Sequence, residues 1–376
     1  MTDSTLHALF SPVSFGTGEL PNRIVMSPMS REYCQGGVPG PQVAEYYRRR
    51  VEGGVSLIIT EGTFIEHEGA SAYPDNMPRF YGDDALAGWA KVLAAVHQAG
   101  GKIIPQLWHV GAVRRPGAAG PNPSAPGYGP MEQRGKDGQL KVKAMSQQNI
   151  DEVIAAYVKA ALQAEKMGFD GIEIHAAHGY LIDQFFWAEM NQRNDQYGGS
   201  LENRLRFGCE VVSAIRAVVS KDFPIVFRFS QWKQQDYKAT IASNPDELSI
   251  IVNHLAEAGV DIFHVSTRRF WQPAFTDSPL TLAAWVKKLS GKPVIAVGSV
   301  GLDTEFGWEL WSQPEERHLS KVSNVQQLGD GLNNQDFDFI AVGRALIADA
   351  EWANKVREQR ISEITPFERS CLDTLV

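Results

Sequence analysis

Two histidines and a tyrosine lie close together in the stretch Glu173–Tyr180, and side chains of these types are suited to proton chemistry at a carbonyl group. The residues before them are β-branched and predict a short strand that ends at His175. Gly179 allows a sharp turn, which is predicted to bring His178 and Tyr180 back beside His175. Two imidazoles and a phenol at the carboxyl end of a strand can hold a carbonyl oxygen and deliver a proton.

Two other interpretations of this cluster are open. A single histidine or tyrosine near a strand end is often a structural residue with its hydrogen bonds satisfied inside the fold. His175 and His178 also have a His-x-x-His spacing, but a zinc site normally takes three or four protein ligands, and no third ligand of plausible spacing is evident. The polar, glycine-rich segment Gln192–Arg204 is predicted to be a long ordered loop after the strand, which favours a functional site.

The elements that must position these residues are short β-branched runs that alternate with longer amphipathic segments, as in a parallel α/β fold. The predicted strands are Arg23–Met29, Ser56–Glu61, Ile103–Leu107, Gly171–His175, Ile225–Phe229, Ile262–Val265, Val294–Val297 and Phe339–Val342. Eight strand–helix units indicate a closed (β/α)8 TIM barrel, and we expect residues 1–376 to form this single domain. A Rossmann topology is the alternative, but no G-x-G-x-x-G sequence follows the first strand and opens a helix.

Helical segments lie between the strands, each with apolar residues at helical spacing. The clearest are Asp83–Ala99, Asp151–Met167, Leu201–Val219 and Pro245–Ala258. Two long loops interrupt the pattern: Gly111–Lys143 after strand three, rich in glycine and proline, and Gly301–Asp338 after strand seven, which contains Trp308 and Trp311. Loops of this length in compact domains are usually lids or partner surfaces.

The last two strands end in glycine-containing turns, Val297–Gly301 and Val342–Ala345. Barrels of this type commonly bind a phosphate at these two loops, where Arg344 can add a charge-assisted hydrogen bond. The alternative is a pair of tight turns with an arginine on the surface. In strand five, Arg228 is predicted to point inward, and Glu173 is its expected structural partner because a buried unpaired charge is unfavourable.

Taken in order along the chain, these segments resemble the old yellow enzyme family of FMN-dependent ene-reductases. The resemblance runs from Asn22–Met29 to Val342–Arg344, nearly the whole chain. It implies FMN as the cofactor, held by Pro28, Met29 and Ser30 after strand one, Gly62 after strand two, Gln106 in strand three, Arg228 at the flavin N1/O2 edge, and Gly298, Ser299, Gly343 and Arg344 at the phosphate. Ser30 matches a position near flavin O4 and N5 at which family members usually carry threonine or cysteine.

The resemblance also implies a reaction in two halves. NADPH or NADH reduces the flavin, which then passes a hydride to the β-carbon of an α,β-unsaturated carbonyl compound. His175 and His178 would hold the carbonyl oxygen, Tyr180 would donate a proton to the α-carbon, and Trp108 would shape the pocket. The second position of this histidine pair is either His or Asn in the family.

Several alternative functions are weighed against this one. Nitro compounds or nitrate esters as main substrates, a barrel aldolase or hydrolase without flavin, and a non-catalytic flavin-binding protein are the principal alternatives. The larger dienoyl-CoA reductase or amine dehydrogenase type shares the barrel but adds an iron–sulfur segment. The chain has 3 cysteines, far apart, and ends at Val376, so we do not expect that type.

The composition restricts the partners. Lysine and arginine number 36 and aspartate and glutamate 44, so the net charge of −8 argues against nucleic acid or an anionic membrane as the main partner. No apolar run approaches the length of a membrane span, and the amino terminus lacks the basic and apolar regions of a signal peptide. We therefore expect a cytoplasmic protein that acts on small molecules. The resemblance allows monomers, dimers and larger homo-oligomers.

Overall fold

Eight parallel strands form a closed barrel in the structure, a computed structural model that describes residues 4–73, 75–118, 120–307 and 318–376. The barrel strands are β1 Ile24–Met26, β2 Leu57–Phe64, β3 Lys102–Trp108, β4 Ile172–His178, β5 Ile225–Lys233, β6 Ile262–Ser266, β7 Val294–Val297 and β8 Phe339–Val342. Each strand pairs with the next one in sequence, and β8 pairs with β1 to close the ring. The predicted fold class is confirmed.

Helices follow these strands in turn around the outside of the barrel. In the described part of the chain they are α1 Pro41–Glu52, α2 Asp83–Gln98, α3 Gln147–Met167, α4 Leu201–Arg216, α5 Pro245–Ala258, α6 Leu282–Ser290, α7 Val325–Asn333 and α8 Arg344–Ala348, with short helices Leu181–Phe186 and Trp352–Arg357 after β4 and α8. Local sequence explains their limits. Ser146 and Asn149 form a capping box that begins α3, and Gly168, with a φ of 92°, ends that helix in the left-handed conformation.

An apolar layer fills the barrel lumen below the carboxyl ends of the strands. This lower layer consists of Phe15, Leu20, Val25, Leu57, Ile59, Ile104, Val226, Ile262, Ile295, Val297, Phe339 and Ala341, all buried. Phe15 and Leu20 belong to a hairpin of Val13–Phe15 and Gly18–Leu20, which closes the amino-terminal end of the barrel. A separate and larger apolar core lies between the strands and the surrounding helices.

The lumen becomes polar two residues further along three of these strands. Ile104 is followed by Gln106 on β3, Val226 by Arg228 on β5 and Ile262 by His264 on β6. Side chains two residues apart on a strand share a face, so the polar groups lie directly above the apolar ones. Together with Glu173 from β4 they form what we call the upper layer, and all four side chains are buried.

The two long loops contain more regular structure than the sequence predicts. After β3, the predicted loop Gly111–Lys143 includes a small sheet built from Gly127–Gly129, Gln133–Arg134 and Leu140–Ala144. After β7, the predicted loop Gly301–Asp338 includes helix α7 and a strand, Leu319–Ser320, that pairs with Phe367–Glu368 near the carboxyl terminus. Trp308 and Trp311 lie outside the described residues. Short two- to five-residue strands carry too little alternation to be recognised in sequence.

In the part of the chain that the structure describes, no helix is both long enough and apolar enough to cross a membrane.

Candidate active site

A cavity of about 670 Å³ opens at the carboxyl ends of the barrel strands. A volume of this size is typical of sites for cofactors and small molecules. Its lining includes all the site residues singled out in the sequence: Pro28, Met29, Ser30, Gly62, Gln106, Trp108, His175, His178, Tyr180, Arg228, Gly298, Ser299, Gly343 and Arg344. These residues come from seven barrel strands or the loops that follow them, and only closure of the barrel brings them together.

His175 and His178 lie side by side at the end of β4, with ring centroids 5.3 Å apart and ring planes at 89°. The predicted strand end at His175 is wrong, because β4 continues through His178. Residues three apart on a regular strand face opposite ways. His178 has a φ of 64°, in the left-handed region, and this local conformation turns the His178 ring toward His175. The change of direction therefore begins at His178, one residue before the turn that the sequence suggested at Gly179.

The histidine rings are held by contacts from β4 itself and from β5 and β6. His175 Nδ1 accepts from the Ala177 N–H at 3.4 Å, which leaves its proton on Nε2. His178 Nε2 lies 2.8 Å from the Ser266 hydroxyl at the end of β6, and its ring stacks on Trp232 with centroids 4.4 Å apart. Both rings are therefore fixed in orientation before any ligand arrives.

Tyr180 follows the Gly179 turn, and its ring centroid lies 5.0 Å from that of His175. Its hydroxyl donates to Gln234 Oε1 at 3.4 Å and lies 3.1 Å from the Tyr73 hydroxyl. Its ring packs edge to face against Trp108, with ring centroids 4.8 Å apart. As predicted, the phenol lies beside the two imidazoles, and all three side chains line one cavity.

Burial controls the charge of these groups. Desolvation lowers the pKa of both His175 and His178 well below the usual value, and the nearby positive charge of Arg228 lowers it further. Desolvation also raises the pKa of the Tyr180 phenol well above its usual value. At neutral pH the site thus contains two neutral imidazoles and a protonated phenol, which are hydrogen-bond and proton donors.

A buried ion pair supports the turn that carries Tyr180. Lys233 Nζ, at the end of β5, lies 2.7 Å from Asp183 Oδ1, and both side chains are fully buried. Asp183 Oδ2 accepts the backbone N–H of Gly179 at 2.7 Å. The pair therefore ties β5 to the short helix after β4 and fixes the backbone next to the phenol. The sequence interpretation missed this pair, because the predicted strand five ended at Phe229.

The upper layer beneath the histidines is only partly satisfied. Both carboxylate oxygens of Glu173 are taken, one by Gln106 Nε2 at 2.7 Å and the other by His264 Nδ1 at 2.6 Å. Glu173 was the expected structural partner of Arg228, but it attracts Arg228 only at longer range. Within the described residues, Arg228 Nε and His264 Nε2 are buried without a hydrogen-bond partner.

These features fit a bound FMN. Arg228 has a buried donor left over for a ligand that gains negative charge when reduced. A β-carbon on Gly62 would lie 2.5 Å from the Trp108 ring, so glycine is needed where that wall of the cavity is formed. At the far end, burial and the neighbouring Arg268 lower the pKa of Arg344 to about 10, and an anionic phosphate would relieve this repulsion between two arginines.

Some site residues gave little signal in the sequence. Trp232 and Gln234 lie beyond the predicted end of strand five, and Ser266 lies just past the predicted end of strand six. Tyr73 lies in the loop after β2, and 107 residues separate it in sequence from Tyr180, whose hydroxyl it contacts. Among the residues described, no group of three or more His, Cys, Asp or Glu side chains is arranged to hold a metal ion.

Comparisons with known proteins agree with this geometry. The model of the NADH:flavin oxidoreductase / NADH oxidase family matches residues 8–312. The 12-oxophytodienoate reductase 7 of Oryza sativa subsp. japonica is 41% identical over 361 residues, which cover 93% of this chain and 87% of the relative. An NADH oxidase of Thermoanaerobacter brockii is 34% identical over 374 residues, 97% of this chain but only 52% of the relative, so the chain spans about half the length of that protein. The old yellow enzyme homologue of Zymomonas mobilis superposes with a TM-score of 0.74 at 27% identity, covering 94% of this chain and 93% of that one.

Proposed function

The chain belongs to the NADH:flavin oxidoreductase / NADH oxidase family, in which it groups with the old yellow enzymes, and we propose that it reduces activated carbon–carbon double bonds. The substrates we propose are α,β-unsaturated carbonyl compounds, with NADPH or NADH as the source of the hydride. Members of this family bind FMN. Bound FMN would accept a hydride from the nicotinamide and later pass a hydride to the substrate.

One observation carries the proposal: His175, His178 and Tyr180 line the same cavity as two neutral imidazoles and a protonated phenol. Reduction of an enone places negative charge on the carbonyl oxygen and requires a proton at the α-carbon. Two neutral donors match the first need and a phenol matches the second. A carboxylate in place of either imidazole would repel the developing charge.

Each imidazole has one nitrogen engaged by the protein and one left for a ligand. On His175 the free proton is on Nε2, because Nδ1 accepts from Ala177. On His178, Nε2 lies 2.8 Å from the Ser266 hydroxyl, and with that hydroxyl as the donor the imidazole proton is on Nδ1. The two remaining N–H groups would then converge on the carbonyl oxygen of the substrate. Ser266 thus has a positioning role that its location behind His178 supports.

The surroundings of Tyr180 favour transfer of its phenol proton to the α-carbon of the substrate. Its hydroxyl has two neighbours, Tyr73 at 3.1 Å and Gln234 at 3.4 Å. When the Tyr180 proton leaves, the Tyr73 hydroxyl can donate to the oxygen left behind and stabilise its charge. The Trp108 ring, which contacts both His175 and Tyr180, forms the wall that keeps the substrate over these groups.

We propose that Gln106 and Arg228 contact the polar edge of the flavin ring and that Pro28, Met29, Ser30 and Gly62 lie along its plane. Gly298, Gly343 and Arg344 would hold the phosphate. The Ser299 hydroxyl donates to the Arg268 carbonyl at 2.9 Å, so this residue would act through its backbone. All of these positions line the cavity, which supports the proposal.

The test is a two-step anaerobic experiment on the flavin-loaded protein. NADPH or NADH should bleach the flavin absorbance, and 2-cyclohexenone should then restore it with formation of cyclohexanone. Nitroalkenes and nitrate esters, tested in the second step, would show whether nitro compounds are reduced faster than enones. A flavin that is bleached but recovers only with oxygen would overturn the proposal, and a purified protein that never binds flavin would overturn it more completely.

A further inference from the structure

A second cavity, of about 850 Å³, lies beside the first. It is formed by the segments that follow β5 and β6 and by the starts of α5 and α6. The two cavities share a wall made of Trp232, Tyr237, Ser266, Thr267 and Arg268. Because the same five residues line both, the two cavities lie directly next to each other. The reaction proposed above involves only the first of them.

The second cavity carries positive charge. Arg268, Arg269 and Lys238 line it, against the single carboxylate of Asp277. Glu305 pairs with both arginines, at 2.7 Å from Arg268 Nε and 3.7 Å from Arg269 Nη2, and so holds them next to each other. Arg269 Nε is buried and has no hydrogen-bond partner in the described part of the chain. Two adjacent guanidinium groups with donors to spare are well suited to a diphosphate.

Aromatic rings form another part of this cavity's lining. Trp285 and Phe275 pack edge to face, with centroids 6.0 Å apart, and Trp232 and Tyr237 pack in the same way at 5.8 Å. The Arg268 guanidinium stacks over Tyr237 at 4.0 Å from the ring centroid. Trp285 Nε1 is also buried without a partner among the described residues. Flat apolar faces beside unused N–H donors can accept a purine and its ribose.

We propose that the second cavity binds the adenosine diphosphate half of the nicotinamide dinucleotide while the nicotinamide ring occupies the first cavity. This inference rests on the proposed function, because it assumes that a nicotinamide dinucleotide is the hydride donor. The charge favours this ligand over an extended enone, since an uncharged substrate has no use for paired arginines. The shared wall at Arg268 is where the diphosphate would pass from one cavity to the other.

The first test is a binding measurement that needs no turnover. Calorimetric titration of the flavin-loaded protein with ADP-ribose, which lacks nicotinamide, should show saturable binding that weakens as salt is added. Flavin-loaded protein is used so that the phosphate end of the first cavity is already filled. Arg269→Ala should weaken ADP-ribose binding about tenfold, the usual effect of losing one charge-assisted hydrogen bond. Arg357→Ala, at an exposed arginine outside the lining of both cavities, is the matched control and should bind as the wild type does.

The second test compares two hydride donors in stopped-flow reduction of the flavin. Arg269→Ala should lower the second-order rate constant about tenfold with NADPH or NADH and leave it unchanged with 1-benzyl-1,4-dihydronicotinamide, which has no adenosine diphosphate. Equal losses with both donors, no loss with either, or no binding of ADP-ribose to the wild type would each overturn the inference. If neither donor reduced the wild-type flavin, the proposed function would fail, and ADP-ribose binding would still report on the second cavity separately.

Discussion

The lower and upper layers of the barrel lumen are built on the same strands but follow opposite rules. The lower layer is apolar and closely packed, and it has no polar group to satisfy. The upper layer, two residues further along, buries Gln106, Glu173, Arg228 and His264 and leaves donors or acceptors unpaired among the described residues. A buried polar group without a partner destabilises a protein. The upper layer is therefore not arranged for the stability of the empty barrel, and its unused groups are what a ligand can bind.

The largest expected effect is on the reaction catalysed in the cavity above the upper layer. Tyr180→Phe should slow reoxidation of the reduced flavin by an enone about 100-fold or more, the usual contribution of a positioned general acid. Reduction of the flavin by NADPH should remain nearly unchanged, because that step needs no proton from Tyr180. Stopped-flow measurement of each half-reaction separates the two. Equal losses in both halves would contradict the donor role.

Ile104→Ala tests the lower layer on its own. Removing this fully buried side chain should lower the free energy of unfolding by about 2–5 kcal/mol, measured by chemical denaturation of the flavin-free protein. The rate of enone reduction per folded molecule should change little, because Ile104 lies beneath the upper layer and does not line the cavity. A loss of activity without a loss of stability would break the comparison.

Arg228→Met makes the corresponding change in the upper layer. The affinity for FMN should fall about tenfold to 100-fold, since a charge-assisted hydrogen bond is lost. The free energy of unfolding of the flavin-free protein should stay the same or rise, because an incompletely paired buried charge is replaced by an apolar side chain. Flavin titration and denaturation of the same sample measure both. A marked loss of stability in the flavin-free protein would show that Arg228 serves the fold.

His175→Ala tests whether His175 binds the oxygen of a ligand, and its expected effect is smaller. Phenols that bind over the flavin and perturb its spectrum should bind about tenfold more weakly, because one neutral donor is lost. Spectral titration with 4-hydroxybenzaldehyde measures the affinity, and the melting temperature of the variant serves as the control for folding. An unchanged affinity would refute the assignment of His175 to oxygen binding.

The smallest expected effect is on the dependence of stability on pH. His175, His178 and His264 have pKa values lowered by burial, so they stay neutral in the fold and take up protons on unfolding. Their contribution to stability is present above the unfolded pKa, near 6.5, and is lost as the pH falls below it. The contribution of Glu61 to stability depends on pH in the opposite direction. Burial raises the pKa of Glu61 to about 7, so its contribution is lost as the pH rises from about 4.5 to 7.

Denaturation between pH 5 and 7 should therefore show stability falling toward acid, and Glu61→Gln should make that fall steeper, by up to about 1.4 kcal/mol per pH unit. Ile104→Ala should shift the whole profile downward without changing its slope, because the lower layer contains no titratable side chain. A Glu61→Gln profile parallel to the wild type would show that Glu61 is ionised in the fold.

The barrel was predictable because each strand is a β-branched run of ordinary length, and the last two strands, Val294–Val297 and Phe339–Val342, have the predicted limits. The resemblance supplied the list of site residues, and the fold brings all of them to one cavity. The errors occur where tertiary contacts override local pattern. Strand β5 continues through polar residues because Lys233 is paired with Asp183, a contact 50 residues away that no local window contains.

The partners of the site were harder to predict than the site itself. Glu173 was assigned to Arg228 because it is an acidic residue that points inward, but Gln106 on the adjacent strand and His264 on β6 take its two oxygens. Sequence alternation gives the face on which a side chain lies but not its distance from side chains on other strands. The second cavity had no counterpart in the sequence analysis, because its residues come from two loops and the starts of two helices.

The backbone of His178 limits how this enzyme could be redesigned. Its φ of 64° is a conformation that asparagine, aspartate, histidine and glycine adopt readily and β-branched residues do not. Of these four, only histidine and asparagine also offer an uncharged N–H to a substrate oxygen. A randomised library at this position should therefore yield active clones almost solely with His or Asn, whereas valine or isoleucine should be lost at the folding step.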